Sequence, residues 1–282
     1  MVNMFFPQLR NELWKLFGKK RTYIGFLMFL LAQNVIVVLF RFTNGPRVSM
    51  QRTLEGNGYL AEQFISGLTV ATFMLFPIAY ILMPLYVSLV GGDLVAKEAE
   101  DGTLRMILAR PISRLRLLLV KWLAGVIFSA LLVLALGLFG LLFASVWFPW
   151  GGLFVFVPGE LFGVFDALSG CRQYALAHWV MVTKASTVMG LAFMFSCFNV
   201  KPAAATILAL SFVFVNFIMQ NIPYFRELQH WFLTYHLNVW QSMFAQPVPW
   251  WKLGQSLSIL LGFNLTFLVV GATVFQMRDI KS

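Results

Sequence analysis

Charge is scarce in this chain: 11% of its 282 residues are Asp, Glu, Lys or Arg, where an average globular chain carries roughly a quarter. A soluble fold of that length would leave much of its surface without ionic groups to hydrate it, so that class is excluded. Cysteine is nearly absent. Cys171 and Cys197 are too few for a disulfide framework, and Cys197 falls in an apolar run. The pattern G-x-x-x-x-G-K-[ST] does not occur, and Gly18-Lys19-Lys20 lacks the upstream glycine, so no loop here is built to cradle a nucleotide phosphate. The three histidines, His178, His230 and His236, lack the spacing of a helical zinc pair and have no cysteine beside them, so no metal site is expected.

What is present is apolar matter, 60% of the residues, gathered into six runs of spanning length. A run of about 20 apolar residues matches the roughly 30 Å hydrocarbon core as a helix. Lipid tolerates only closed hydrogen-bonding patterns, so these runs must be helices. The expected fold is an all-α membrane protein, one transmembrane domain over 1–282, with spans at about 22–40, 67–90, 117–148, 180–198, 203–221 and 253–275. Before the first span, Phe6, Leu9, Leu13, Leu16 and Phe17 share one helical face, with Gln8, Lys15 and Lys19 opposite. That pattern predicts an interfacial helix over 5–18. The segment has no small-residue cleavage site behind it and is not expected to be a removable signal peptide. Between spans, 41–66 reads as a polar loop and 149–179 as a loop with one short interfacial helix. Pro77 and Pro84, seven apart, predict a kink in the second span.

The net charge of +10 does not point to nucleic acid, because the basic residues cluster at the ends of the apolar runs, where topology signals lie. With the N-terminus inside, the inner segments collect Arg10, Lys15, Lys19, Lys20, Arg21, Lys97, Arg105, Arg110, Arg114, Arg116, Lys121, Lys201, Arg278 and Lys281, against Arg41, Arg47, Arg52, Arg172, Arg226 and Lys252 in the outer ones. Both termini are therefore expected to be cytoplasmic. Trp147, Trp150, Trp179, Trp231, Trp240, Trp250 and Trp251 fall on the other side as an expected aromatic belt. All eleven acidic residues lie outside the expected spans, which argues against an ion-coupled carrier. Lys184 is the one candidate intramembrane charge, placed near enough to an end to snorkel.

The most charged stretch runs from Lys97 to Arg114. Asp101-Gly102 signals a turn. Thr103 is expected to cap a short helix over about 104–109, Pro111 to stop it, and Ser113 to cap the third span. The product is a small rigid hairpin between spans two and three.

Here the sequence resembles the type-2 permeases of ABC transporters, including those of nitrous-oxide-reductase maturation and multidrug-type export. Glu98, Asp101-Gly102-Thr103-Leu104, Arg110-Pro111-Ile112-Ser113-Arg114 and Lys121 look like that family's first cytoplasmic loop. Asn11-Glu12-Leu13-Trp14-Lys15-Leu16-Phe17 resembles its elbow helix, and Phe275-Gln276-Met277-Arg278-Asp279-Ile280 its C-terminus. The resemblance implies a bacterial inner-membrane permease half that pairs with a second half, homo- or heterodimeric, above two ATPase subunits. It implies that Glu12, Lys15, Glu98, Asp101, Gly102, Thr103, Arg110, Pro111, Ser113 and Arg114 dock the ATPase, with no catalytic residue and no cofactor in this chain. Leu168-Ser169-Gly170-Cys171 looks like an ABC signature only superficially, in an outer loop with no nucleotide site to complete. Membrane lipid is a further expected partner, nucleic acid is not. The expected activity is export of an amphiphilic or lipid-like substrate. The alternative is a non-transporting scaffold for an extracytoplasmic machine, motivated by the aromatic outer segments.

A topology prediction follows. A cysteine introduced at Gly102 should react with an impermeant maleimide in inside-out vesicles and stay unlabelled in intact cells; labelling from outside would invert the arrangement.

Overall fold

The computed structural model describes residues 5–109, 112–157 and 161–278. Six helices among these are long and apolar enough to cross a membrane. The first, α1 (Phe5–Phe17), is short and amphipathic and precedes them. Leu16 is buried, and Leu9, Leu13 and Phe17 pack against the core, but Phe6 stands 69% exposed rather than sharing that face. The first span is α2 (Lys20–Phe42). The second is α5 (Gly67–Pro77), a π-helical turn (Ile78–Leu82), and α6 (Met83–Glu100) in one continuous rod. The π turn sits between Pro77 and Pro84, where the missing amide hydrogens break the regular ladder.

That rod is ten residues longer than the sequence predicts, and it carries Asp93, Glu98 and Glu100 with it. Hydropathy ends a span where charge begins, whereas a helix continues until a residue breaks it. The break is Gly102, at φ +70°, a left-handed conformation that glycine adopts without steric cost. The short α7 (Thr103–Leu108) follows, then the long α8 (Arg114–Trp147). Gly102, and not Thr103, occupies the N-cap of α7; the Thr103 hydroxyl instead donates back to the Glu98 carbonyl at 3.3 Å. Ser113 caps α8 as expected, accepting from the Arg116 amide at 3.3 Å. The remaining spans are α9 (Ala167–Ser196), α10 (Pro202–Asn221) and α12 (Trp250–Met277).

The outer segments depart most from expectation. Residues 41–66 hold helices α3 (Asn44–Gly56) and α4 (Ala61–Phe64) instead of a loop. Residues 149–179 hold an antiparallel hairpin of β1 (Leu153–Val157) and β2 (Leu161–Phe165), paired from Leu153 opposite Phe165 to Val157 opposite Leu161. Seven of its ten strand residues are Val or Phe, types that suit a pleated surface. The hairpin is fastened to the second span by side chains: the Ser66 hydroxyl donates to the Gly152 carbonyl at 2.7 Å, and Thr69 Oγ1 accepts from the Phe154 amide at 2.9 Å. Directly after it, Asp166 caps α9 through the amides of Leu168 and Ser169. These bonds hold its carboxyl below the usual range. The fourth span thus starts about a dozen residues earlier than hydropathy implies. Between α10 and α12 lie a 3-10 turn (Pro223–Trp231), α11 (Leu233–Leu237) and a second 3-10 turn (Val239–Phe244). This segment folds inward: Trp240, expected in an interfacial belt, is completely buried, while Trp147, Trp150, Trp179, Trp231, Trp250 and Trp251 are exposed.

The core is organised around α9, which packs most extensively against α6 and also against α8, α10 and α12. Small residues permit the approach. A Cβ on Gly91 of α6 would run into the Met189 carbonyl oxygen of α9. Polar side chains cross between spans as well. Gln33, fully buried, donates to the Leu136 carbonyl at 2.8 Å, and Asn264 donates to Thr187 Oγ1 at 2.6 Å. These are the interhelical bonds that replace the hydrophobic effect where lipid surrounds the bundle.

Gly91→Leu should therefore lower thermal stability in detergent by about 1–3 kcal/mol through overpacking. Gly254→Leu, which meets nothing within 4 Å, should leave the melting curve in place.

Candidate functional site

The rod of the second span, the base of α8 and the helix α1 converge at one end of the bundle, and each brings a charge there. Glu12 projects from the buried side of α1, Glu98 from the last turn of α6, and Lys121 from the third turn of α8. Lys121 is 1% exposed and reaches both carboxylates, Glu12 at 2.9 Å and Glu98 at 2.8 Å. Lys15, one turn beyond Glu12, closes the ring with contacts of 2.6 Å to Glu12 and 3.0 Å to Glu98. The four charges alternate in sign and sum to zero. A second tie lies beside them, where the Arg21 guanidinium at the start of α2 grips the buried Asp93 carboxylate of α6.

The members of the ring are not equal. Lys15 is 46% exposed, so solvent screens its contacts and their net worth is small. Lys121 has no such access, and without it the two carboxylates would keep only the solvent-screened Lys15 as a partner, leaving their charge poorly compensated. Burial by itself opposes ionisation of Glu12, but Lys121 and Lys15 outweigh it and hold the carboxyl below its ordinary value of 4.5. Burial likewise works against the charge on Lys15, yet Glu12 and Glu98 raise it. Lys19 has burial and the neighbouring Arg21 and Lys121 against it, and its ammonium is pushed down.

The turn beyond the ring is solvent-facing. Asp101 and Gly102 are exposed and Thr103 half-buried, while α7 turns Leu104 inward and leaves Arg105 and Met106 outward. Lys97 pairs with Glu100 at 2.8 Å and Asp101 at 3.1 Å along the exposed side. Ser113 is exposed, and Arg114 turns away from the ring to donate to the carbonyls of Gln276 at 3.1 Å and Arg278 at 3.0 Å. This bonding ties the start of α8 to the end of α12. Arg110 and Pro111 lie outside the described residues. The candidate positions thus divide into three groups: Glu12, Lys15 and Glu98 in the ring, Asp101, Gly102 and Thr103 on the turn, and Ser113 with Arg114 at the α12 junction.

Sequence reasoning named Lys121 among the residues that resemble the family's first cytoplasmic loop but did not place it among the docking residues, and missed the Arg21–Asp93 pair. A signal for Lys121 was present: it is the lone charge in Leu117–Phe128, set among apolar neighbours where a solvated lysine has no place.

An arrangement of this kind has no group poised to do chemistry. It joins three elements mechanically. A family model described as ABC-2 family transporter protein matches residues 10–280, a stretch that contains every member of the ring. The chain belongs to the ABC-2 transporter family. Comparison with curated proteins gives no match. As an ABC-2 permease the chain is a multi-pass transmembrane transport subunit, of a family whose members generally partner with an ABC ATPase subunit.

Lys121→Met should destabilise the permease by about 3 kcal/mol, because two carboxylates lose their buried partner, whereas Lys15→Ala should cost under about 1 kcal/mol. Thermal melts in detergent separate the two. A carboxyl held below its ordinary value contributes stability that is fully present above that value and lost as pH falls through the depressed one. Melting temperature should therefore drop as pH is lowered below 4.5, and Glu12→Gln should flatten that acid limb.

Proposed function

We propose that this ABC-2 permease is one half of an ATP-driven exporter in the bacterial inner membrane, with both termini in the cytoplasm. ATP is bound and hydrolysed by two copies of a separate ATPase subunit, and a second permease half completes the path. The observation that carries this reading is the ion ring itself. It clasps α1, the end of the second span and the base of the third span into one rigid body at the end of the bundle where the exposed turn projects. A push on that turn is delivered at once to both spans and to α1.

The proposed docking face comprises the exposed Asp101 and Gly102, the half-buried Thr103, the exposed Arg105 and Met106 of α7 and the exposed Ser113; Arg110 and Pro111, which lie outside the described residues, are proposed to belong to it by their place in the sequence. Glu12, Lys15 and Glu98 stand directly behind that face. Their proposed role is to pass on the ATPase's motion, with Lys15 alone open enough to meet the partner directly. Arg114 would carry the same motion to α12. Closure of the ATPases drives transport only insofar as they contact this face differently in two states.

An amphiphilic substrate fits the bundle's interior, where the polar side chains that cross between spans, such as Gln33 and Asn264, already spend donors on backbone and side-chain acceptors. The competing reading is a scaffold for an extracytoplasmic machine, and the folded outer layer of α3, the β hairpin and α11 favours it.

Two measurements decide. Asp101→Arg combined with Met106→Glu, both on exposed positions, should reduce recovery of the ATPase with the detergent-extracted permease by about ten-fold, a loss of 1.4 kcal/mol on the affinity scale. Unchanged recovery would remove the docking face. A cellular phenotype that survives an ATPase-inactive partner would favour the scaffold.

A further inference from the structure

The ring and the Arg21–Asp93 pair account for the buried charges Glu12, Lys121 and Asp93. One further buried charge has no ionic partner among the described residues. Lys184 lies in α9, twelve residues from Ser196 and so about 18 Å along the helix at 1.5 Å per residue, which is too far for the side chain to snorkel to that boundary. Its side chain is not open to solvent toward the other end either, where Asn238 holds it inside the bundle. Lys184 is 3% exposed, and among the described residues no carboxylate forms an ion pair with it. Its ammonium donates to Asn238 Oδ1 at 3.1 Å and lies 4.9 Å from the centre of the Tyr80 ring. An uncompensated intramembrane cation is expensive and is retained where it has work to do.

Two further observations meet at the same point. Tyr80 stands in the π turn Ile78–Leu82 of the second span, and π turns inside helices concentrate at functional sites. Asn238 belongs to the inward-folded segment, sitting between α11 and the following 3-10 turn. Side-chain bonds pin that segment: Gln241 donates to the Tyr80 hydroxyl, His236 Nδ1 lies 3.0 Å from Ser256 Oγ, and Trp240 packs on Phe76 with ring centres 5.2 Å apart. Its polar network is nevertheless incomplete. Thr234 Oγ1 and Trp240 Nε1 in the segment, and Ser186 Oγ two positions from Lys184, are buried without a partner among the described residues. A half-satisfied buried network is costly, and it has something to gain from a ligand or from a second arrangement.

We infer that Lys184, with the Tyr80 ring, is a recognition point for the anionic headgroup of the transported amphiphile, and that the Asn238 side-chain oxygen holds the headgroup's place until substrate arrives. An anionic oxygen is the stronger acceptor for an ammonium, since charge-assisted hydrogen bonds are roughly twice as strong as neutral ones. Displacing Asn238 would loosen the segment from the π turn and open the outer side as the substrate is engaged. This rests on the exporter reading, and it names the class of substrate: a lipid-like molecule with a phosphate or carboxylate head.

The test reads the outer segment directly and needs no ATPase, so it is independent of the docking measurement. With Cys171 and Cys197 replaced by alanine, Ser242→Cys in the second 3-10 turn is labelled by an impermeant maleimide in phosphatidylcholine nanodiscs. Dodecyl phosphate, dodecylphosphocholine and dodecyl maltoside are added at matched concentrations. Dodecyl phosphate should raise the labelling rate about five-fold over the other two, a population shift toward the released segment. Lys184→Gln, which keeps a donor for Asn238, should abolish that preference, and Lys184→Arg should retain it. Equal rates with all three amphiphiles would overturn the proposal, and so would an undiminished preference in Lys184→Gln. A raised basal rate in Lys184→Gln with the anion preference intact would reduce Lys184 to an anchor of the segment. If Lys184→Gln fails to fold, the comparison of amphiphiles on the parent protein still decides.

Discussion

Lys121 has almost no contact with solvent, and it is accommodated in the apolar base of a helix because Glu12 and Glu98 reach it from two other elements. Removing two carboxylates and an ammonium from water is costly, and the three charges are tolerable only while all remain in place. The geometry of this end of the protein follows from that condition. α1 must lie where Glu12 meets α8, and α6 must continue past the hydrophobic limit of its span to bring Glu98 up. The turn at Asp101–Gly102 is therefore displayed at a fixed height. Packing of apolar faces would allow α1 to slide; a ring of alternating charges at hydrogen-bonding distance does not.

The same logic separates two regions of the bundle. At the ring the charges are satisfied and cancel, which suits a body that transmits force without changing shape. At Lys184 the charge meets a neutral oxygen and an aromatic face, next to an interrupted helix and a segment of short helical turns. The ring is built to stay closed, whereas Lys184, farther along the bundle, is held by neutral partners alone among the described residues. A transport subunit needs both kinds of site, a rigid handle and an element with two arrangements.

Much of the architecture was legible from hydropathy alone, since the cost of unsatisfied backbone in lipid leaves helices as the only form for six long apolar runs. Pro77 and Pro84 announced the interruption in the second span, and Asp101-Gly102 announced the end of its rod. The outer segments were not legible. Leu153–Phe165 is apolar on both faces of its hairpin, so it lacks the alternation that marks a half-buried strand. The early start of α9 was hidden because Arg172, Gln173 and His178 lower its hydropathy while leaving its helix intact. The candidate site was legible as a charged stretch and as a family resemblance. Which of its members face inward was not.

By itself, then, the sequence determined that this chain has six helices long and apolar enough to cross a bilayer, gathers most of its basic residues in the segments on one side of them and carries the marks of an ABC-2 permease. Those properties depend on local composition, and composition is written in order along the chain. Only the tertiary structure decided that Lys121 joins Glu12 to Glu98, that Asp93 holds Arg21, and that Lys184 is deep in the bundle with Asn238 laid against it. Each of those pairs brings together residues tens of positions or more apart in sequence. Charges at such separations become partners only when packing brings their helices side by side.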